Sequence, residues 1–120
     1  MRSRQHLLSL LVVLFAGFAI TVPSHAESAP RRVEVTAKRF SFQPAEVTVK
    51  KGETVVLVLK SADVPHGLRF RELNVDVKAN RGGTGQVKFT PQQTGTFVGR
   101  CSVFCGSGHG VMTLKLHVVD

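Results

Sequence analysis

Apolar and polar positions alternate along much of this chain. Val33, Val35 and Ala37 are separated by Glu34 and Thr36, and Val47 and Val49 sit between Glu46, Thr48 and Lys50. A two-residue period sends successive side chains to opposite faces, so both stretches read as half-buried strands. The same spacing puts Phe40 and Phe42 on one side, before Pro44 interrupts the run. Glu53-Thr-Val-Val-Leu-Val-Leu-Lys60 is nearly all apolar and too β-branched to favour helix, so it reads as a buried strand. Further strands are expected over Leu73–Lys78, over Gln86–Thr90 up to Pro91, and over Thr96–Cys101. Val111–Val119 is the last, with Leu114, Leu116 and Val118 on one face. Lys51-Gly52 and Asn80-Arg-Gly-Gly-Thr-Gly85 read as turns, and Ser61–Gly67 as a loop. No 3.6-residue periodicity or internal repeat intrudes. About seven short strands with Gly and Pro turns predict an all-β Greek-key β-sandwich.

The first residues follow another pattern. Met1-Arg-Ser-Arg4 is basic, Leu7–Val22 is apolar, and Ser24-His25-Ala26 supplies small residues suited to cleavage. This is the layout of a secretory signal peptide over 1–26, followed by a linker over 27–32 and one domain over 33–120. The expected location is the periplasm, with membrane attachment only if the signal segment stays uncleaved as an anchor. Cleavage leaves 94 residues, enough for one modest core. Losing Arg2 and Arg4 leaves 14 Lys and Arg against 8 acidic residues, a formal charge of +6. The basic positions are scattered, which suits a solvated surface and not nucleic acid. The charge also weighs against a basic redox partner.

Chemistry concentrates in Cys101-Ser-Val-Phe-Cys105-Gly-Ser-Gly-His109-Gly-Val-Met112. Thiolates and thioethers suit soft ions such as copper(I), and imidazole suits copper in either oxidation state. The Gly and Ser between them suit a loop that wraps its side chains around one point. His66, directly after Pro65, is the upstream candidate, since neighbouring strand ends of a sandwich can bring it beside the loop. Four readings remain open on the residues alone. Cys101 and Cys105 could close a disulfide. Zinc could take Cys101, Cys105, His66 and His109, leaving Met112 without a role. One copper could take His66, Cys105, His109 and Met112, leaving Cys101 aside. Two coppers could use every donor. Elsewhere, His117 reads as a surface residue, and His6 and His25 fall in the signal segment. Phe104 is expected to shield the site or to pack in the core, and Asp63 to hydrogen-bond within the His66 loop or simply to form a turn.

In these motifs the chain resembles the cupredoxins, and among them the dinuclear copper-A domain of cytochrome c oxidase subunit II. The matching residues are Ser61-Ala-Asp-Val-Pro-His66 and the Cys-x3-Cys-x3-His-x2-Met run from Cys101 to Met112. The copper domain of nitrous oxide reductase has the same spacing. The resemblance covers about Val33 to Val119. It implies two copper ions bridged by Cys101 and Cys105 and capped by His66 and His109, with Met112 and the Val103 carbonyl as weak ligands. Subunit II usually has Glu at the position of Val103, and this chain has no Trp or Tyr for an aromatic electron-entry patch. Nor is the two-helix membrane anchor of that family expected, unless the signal segment stays uncleaved. The expectation is therefore a free-standing exported electron carrier, not an enzyme, with no small-molecule substrate. Its partner would be a redox protein or a copper-acceptor protein. Copper delivery to an oxidase, or membership of a terminal oxidase or reductase complex, are the alternatives.

Overall fold

The computed structural model describes residues 17–24 and 28–120. The basic start and most of the apolar stretch read as a signal peptide lie outside the described residues, and 17–24 carry no regular secondary structure. No helix among the described residues is long and apolar enough to cross a membrane.

Among the described residues, nine strands form two sheets. They are β1 (Arg31–Lys38), β2 (Ser41–Gln43), β3 (Glu46–Lys50), β4 (Val55–Ser61), β5 (His66–Phe70), β6 (Val75–Ala79), β7 (Thr84–Phe89), β8 (Gly95–Arg100) and β9 (Thr113–Val119). One sheet runs β2-β1-β4-β7 and the other β3-β9-β8-β5-β6. β1 lies parallel to β4 and β3 parallel to β9, while the remaining pairs are antiparallel. The expected sandwich is the observed one, with the chain crossing between sheets at five of its eight strand connections.

Alternation does what the pattern promised. Val33, Val35 and Ala37 of β1, Val47 and Val49 of β3, and Leu114, Leu116 and Val118 of β9 all point into one core. β4, flanked by β1 and β7, buries Val55, Leu57 and Leu59 in the core, and Val58 on its other face is enclosed as well. Phe42, Phe70, Leu59 and Leu68 fill the centre. Each large apolar side chain so enclosed contributes roughly 1.5–3 kcal/mol relative to exposure.

Two strands were not legible in the pattern. β2 has three residues, too few to show a period. β5 begins at His66, inside the stretch read as a loop, and buries His66, Gly67, Leu68 and Phe70 while exposing Arg69. That is neither an apolar run nor an alternation; its pairing with β6 and β8 makes it a strand. Smaller shifts follow from the same cause. β1 reaches back to Arg31 to pair with Val55, and β7 takes Thr84 and Gly85 from the glycine turn to pair with Lys60 and Leu59. β9 starts at Thr113, since His109–Val111 form a single turn of 3₁₀ helix. Phe42 is sealed in the core, whereas Phe40 is half-buried at its edge, beneath the Cys101–Met112 loop.

Candidate metal centre

Strand register brings the distant halves together. Arg69 of β5 stands opposite Arg100 of β8 in an antiparallel pair. Following β5 back to His66 therefore leads alongside the residues just after Arg100, where the cysteine loop begins. Cys101 starts that loop and Met112 ends it, and the Cys101 N–H donates to the Met112 carbonyl at 3.1 Å. The loop is thus closed at its neck, with β8 and β9 as its two stems.

Inside it the donors form one contiguous set. His66 Nδ1 lies 3.9 Å from Cys101 Sγ, which lies 3.7 Å from Cys105 Sγ. Cys105 Sγ in turn lies 3.8 Å from His109 Nδ1 and 3.8 Å from Met112 Sδ. The Val103 carbonyl approaches Cys101 Sγ at 3.1 Å. Donor atoms of His66, Cys101 and Cys105 all lie within 4.8 Å of one another. His66 and Met112 are fully enclosed, and both cysteines are buried free thiols. All six residues singled out from the sequence meet here.

Asp63 organises the His66 half. Its carboxylate accepts from His66 Nε2 at 2.6 Å, from the Val64 N–H at 2.7 Å and from the Arg39 N–H at 2.9 Å. With Nε2 occupied by a carboxylate, Nδ1 is the ring nitrogen left facing sulfur, the arrangement that fixes a metal-binding imidazole. The Arg39 amide, seconded by the hydrogen bonds from His66 and Val64, holds the Asp63 carboxyl down at about 2. The Ser61 hydroxyl closes the same turn by donating to the Val64 carbonyl.

The cysteine half is tied to the first by a residue that sequence reasoning passed over. Arg39 Nε donates to the Cys105 carbonyl at 3.0 Å, while the Arg39 amide serves Asp63. Sixty-six positions separate Arg39 from Cys105, so no local signal marks the contact. Burial pushes the Cys105 thiol up to about 11, and the adjacent Cys101 adds to the shift. In the apo-protein, therefore, this sulfur stays protonated at neutral pH.

Phe104 corrects an expectation. It does not pack in the core, being 78% exposed, and its ring instead lies 5.6 Å from that of His109 at the edge of the site. The aromatic beneath the loop is Phe40. A Cβ on Gly108 would fall 2.4 Å from its ring, and Gly106 combines φ +136° with a 2.9 Å approach to the same ring. Glycine at 108 thus lets the loop seat on Phe40. Gly108→Val is expected to lift the loop and weaken metal uptake at least tenfold, as read by competition with a chelator. Wild-type uptake in that variant would show the seating to be dispensable. His117 lies apart at the surface of β9, bonded to Thr96 at 3.0 Å, as expected.

A model of the cupredoxin-like domain matches residues 10–114. The chain belongs to that family. Its cupredoxin domain is similar to cytochrome c oxidase subunit 2 of Vanderwaltozyma polyspora, with 37% identity over 74 residues, 62% of this chain and 30% of that protein. The Thermus thermophilus subunit 2 is 32% identical over 77 residues, 64% of this chain and 57% of its own length. The cupredoxin thus spans between about a third and rather more than half of these two relatives. Among solved structures, the periplasmic domain of subunit II of cytochrome oxidase from Bradyrhizobium japonicum superposes with a TM-score of 0.70. It covers 78% of this chain and 87% of that one at 22% identity, a likeness of fold.

Proposed function

We propose that this cupredoxin is an exported, periplasmic copper protein that passes single electrons through a dinuclear centre. Its ligands are His66, Cys101, Cys105, His109, Met112 and the Val103 carbonyl. What carries the reading is the unbroken run of donor-to-donor separations, 3.1–3.9 Å, linking all six. The donors suit copper. Two thiols, a thioether and two imidazoles are a soft to borderline set, and six donors exceed what one tetrahedral ion takes. The sulfur separation of 3.7 Å also fits two thiolates on a shared ion with metal–sulfur distances of ~2.3 Å. Zinc leaves the Met112 sulfur, enclosed and aimed at Cys105, unused.

Copper bound here supplies a one-electron couple. The protein's part is to hold ligands still and exclude water. Asp63 fixes the His66 ring, Arg39 ties Cys105 to the Asp63 turn, and two rigid stems anchor Cys101 and Met112. Donors held in place need little rearrangement when the charge at the centre changes. The relatives' names support a second reading, in which the chain serves as a subunit of a terminal oxidase complex. Co-purification with a haem-copper oxidase is its test.

Metal analysis and electron paramagnetic resonance test the main proposal. Two coppers per chain and a purple, valence-delocalised spectrum are expected; one copper with a four-line hyperfine pattern would refute the dinuclear assignment. Loading should also depend steeply on pH. The Cys105 thiol, raised to about 11, must lose its proton to bind, so affinity rises with pH, about tenfold per unit for each proton released. Isothermal titrations at pH 5.5, 6.5 and 7.5 read this; a flat profile would mean that the thiols are not ligands. The sign for apo stability is opposite. The raised thiol value stabilises the fold below about 9, and that contribution is lost as the pH climbs toward about 11.

A further inference from the structure

The His109 side of the candidate centre opens into a surface depression of about 720 Å³, lined by Arg69, Arg71, Arg100, Glu72, Cys101 and His109 among others. Arg69 and Arg100 stand directly opposite each other on neighbouring strands, an arrangement of like charges that opposes strand pairing. Among the described residues, none of these three arginines joins an ion pair, whereas Arg31, Arg32, Lys60, Lys78 and Lys115 each have a carboxylate within reach. Two acids are close. Glu72 shares the depression, and Asp76 faces Arg69 from β6, but Asp76 already accepts from the Ser102 hydroxyl at 2.9 Å and lies 3.9 Å from Lys78. The face is left net positive. Beside it the exposed side chains are apolar: Phe104 at 78% and Val111 at 77% flank His109 on the loop. An apolar patch next to an unpaired charged rim is the composition of a protein-docking surface, and a small anion would leave Phe104 and Val111 in water.

We infer that this face receives a partner protein with an acidic surface, placing the partner against the copper edge at His109. The inference rests on the copper reading above. It assigns the partner's charge from this chain's own residues. Arginine forks pair with carboxylates in bidentate fashion and so fix orientation as well as attraction. Complementary charge chiefly speeds encounter and selects the partner, while the apolar contact around Phe104 and Val111 seats it.

Nuclear magnetic resonance of the labelled chain tests this, with the acidic haem domain of cytochrome b5 and the basic cytochrome c as probes. Both apo and copper-loaded protein are used, and copper content is measured separately, so a failed copper assignment is told apart from failed docking. Cytochrome b5 should shift the amides of Arg69, Arg71, Arg100, Phe104 and Val111, with affinity falling about tenfold or more between ~20 and ~200 mM salt. Combined Arg69→Glu, Arg71→Glu and Arg100→Glu should weaken binding at least tenfold. Lys50, Lys51 and Lys88 form a basic depression at the opposite end of β9, away from every ligand. Reversing those three should change affinity by less than about threefold. If the arginine triple variant fails to fold, Arg71→Glu alone, on an exposed 3₁₀ turn, should show the same effect at smaller size. Three results overturn the inference: tighter binding of cytochrome c, equal losses from the distal lysines, or inorganic phosphate alone reproducing the Phe104 and Val111 shifts.

Discussion

Cys101→Ser is expected to halve the copper content, from two ions per chain to one, with the sandwich intact. The Cys101 sulfur lies near His66 Nδ1, the Val103 carbonyl and Cys105 Sγ, so it is one of the two sulfurs that could be shared between two ions. A serine oxygen is hard and bridges soft copper poorly. The residues left behind, His66, Cys105, His109 and Met112, are the two-imidazole, one-thiolate, axial-thioether set of a mononuclear blue site. The spectrum should accordingly change to a four-line hyperfine pattern. Serine is slightly smaller than cysteine, and thermal unfolding should shift little. Cys105→Ser should be harsher. That sulfur meets Cys101, His109 and Met112 at once, so its loss should remove nearly all tightly held copper. Unchanged stoichiometry in Cys101→Ser would defeat the bridging role, whatever the spectrum.

Asp63→Ala should produce the second large effect, on stability and metal affinity together. The substitution removes the acceptor for His66 Nε2, for the Val64 amide and for the Arg39 amide. His66 is fully enclosed, so its ring nitrogen would be left without a partner at a cost of about 1–3 kcal/mol. Losing the carboxylate behind a ligating imidazole typically weakens metal binding about 10–100-fold. Chemical denaturation of the apo-protein and chelator competition read the two effects separately. A loss of stability with full copper affinity would make Asp63 a turn residue only. The sign of its pH dependence follows from the depressed value. Asp63 stabilises the fold fully above its unfolded value of 3.8, and that stabilisation disappears as the pH falls toward about 2. Wild type should therefore lose stability between about pH 4 and pH 2 more steeply than Asp63→Ala.

Much of this protein could be read from residue order. Strands that bury one face announce themselves by a two-residue period, as β1, β3 and β9 do, and a strand enclosed on both faces such as β4 by an apolar run. Five of the six candidate ligands share one short loop, where four soft or borderline side-chain donors at close spacing carry their own chemical meaning. β5 had no such signature. Phe104, inside the same loop, stays out of the core, one of the two places expected for it, because a loop residue's exposure depends on what the rest of the fold leaves uncovered.

Residue order thus determined the fold class, the donor chemistry and the place of the loop, because these depend on side-chain type at short spacing. Tertiary structure decided which imidazole nitrogen faces sulfur, that Arg39 joins the two halves, that Phe40 carries the loop, and that Arg69 and Arg100 meet on one face. Each of those depends on strand register between segments far apart in the chain, and register is settled only when the whole core packs.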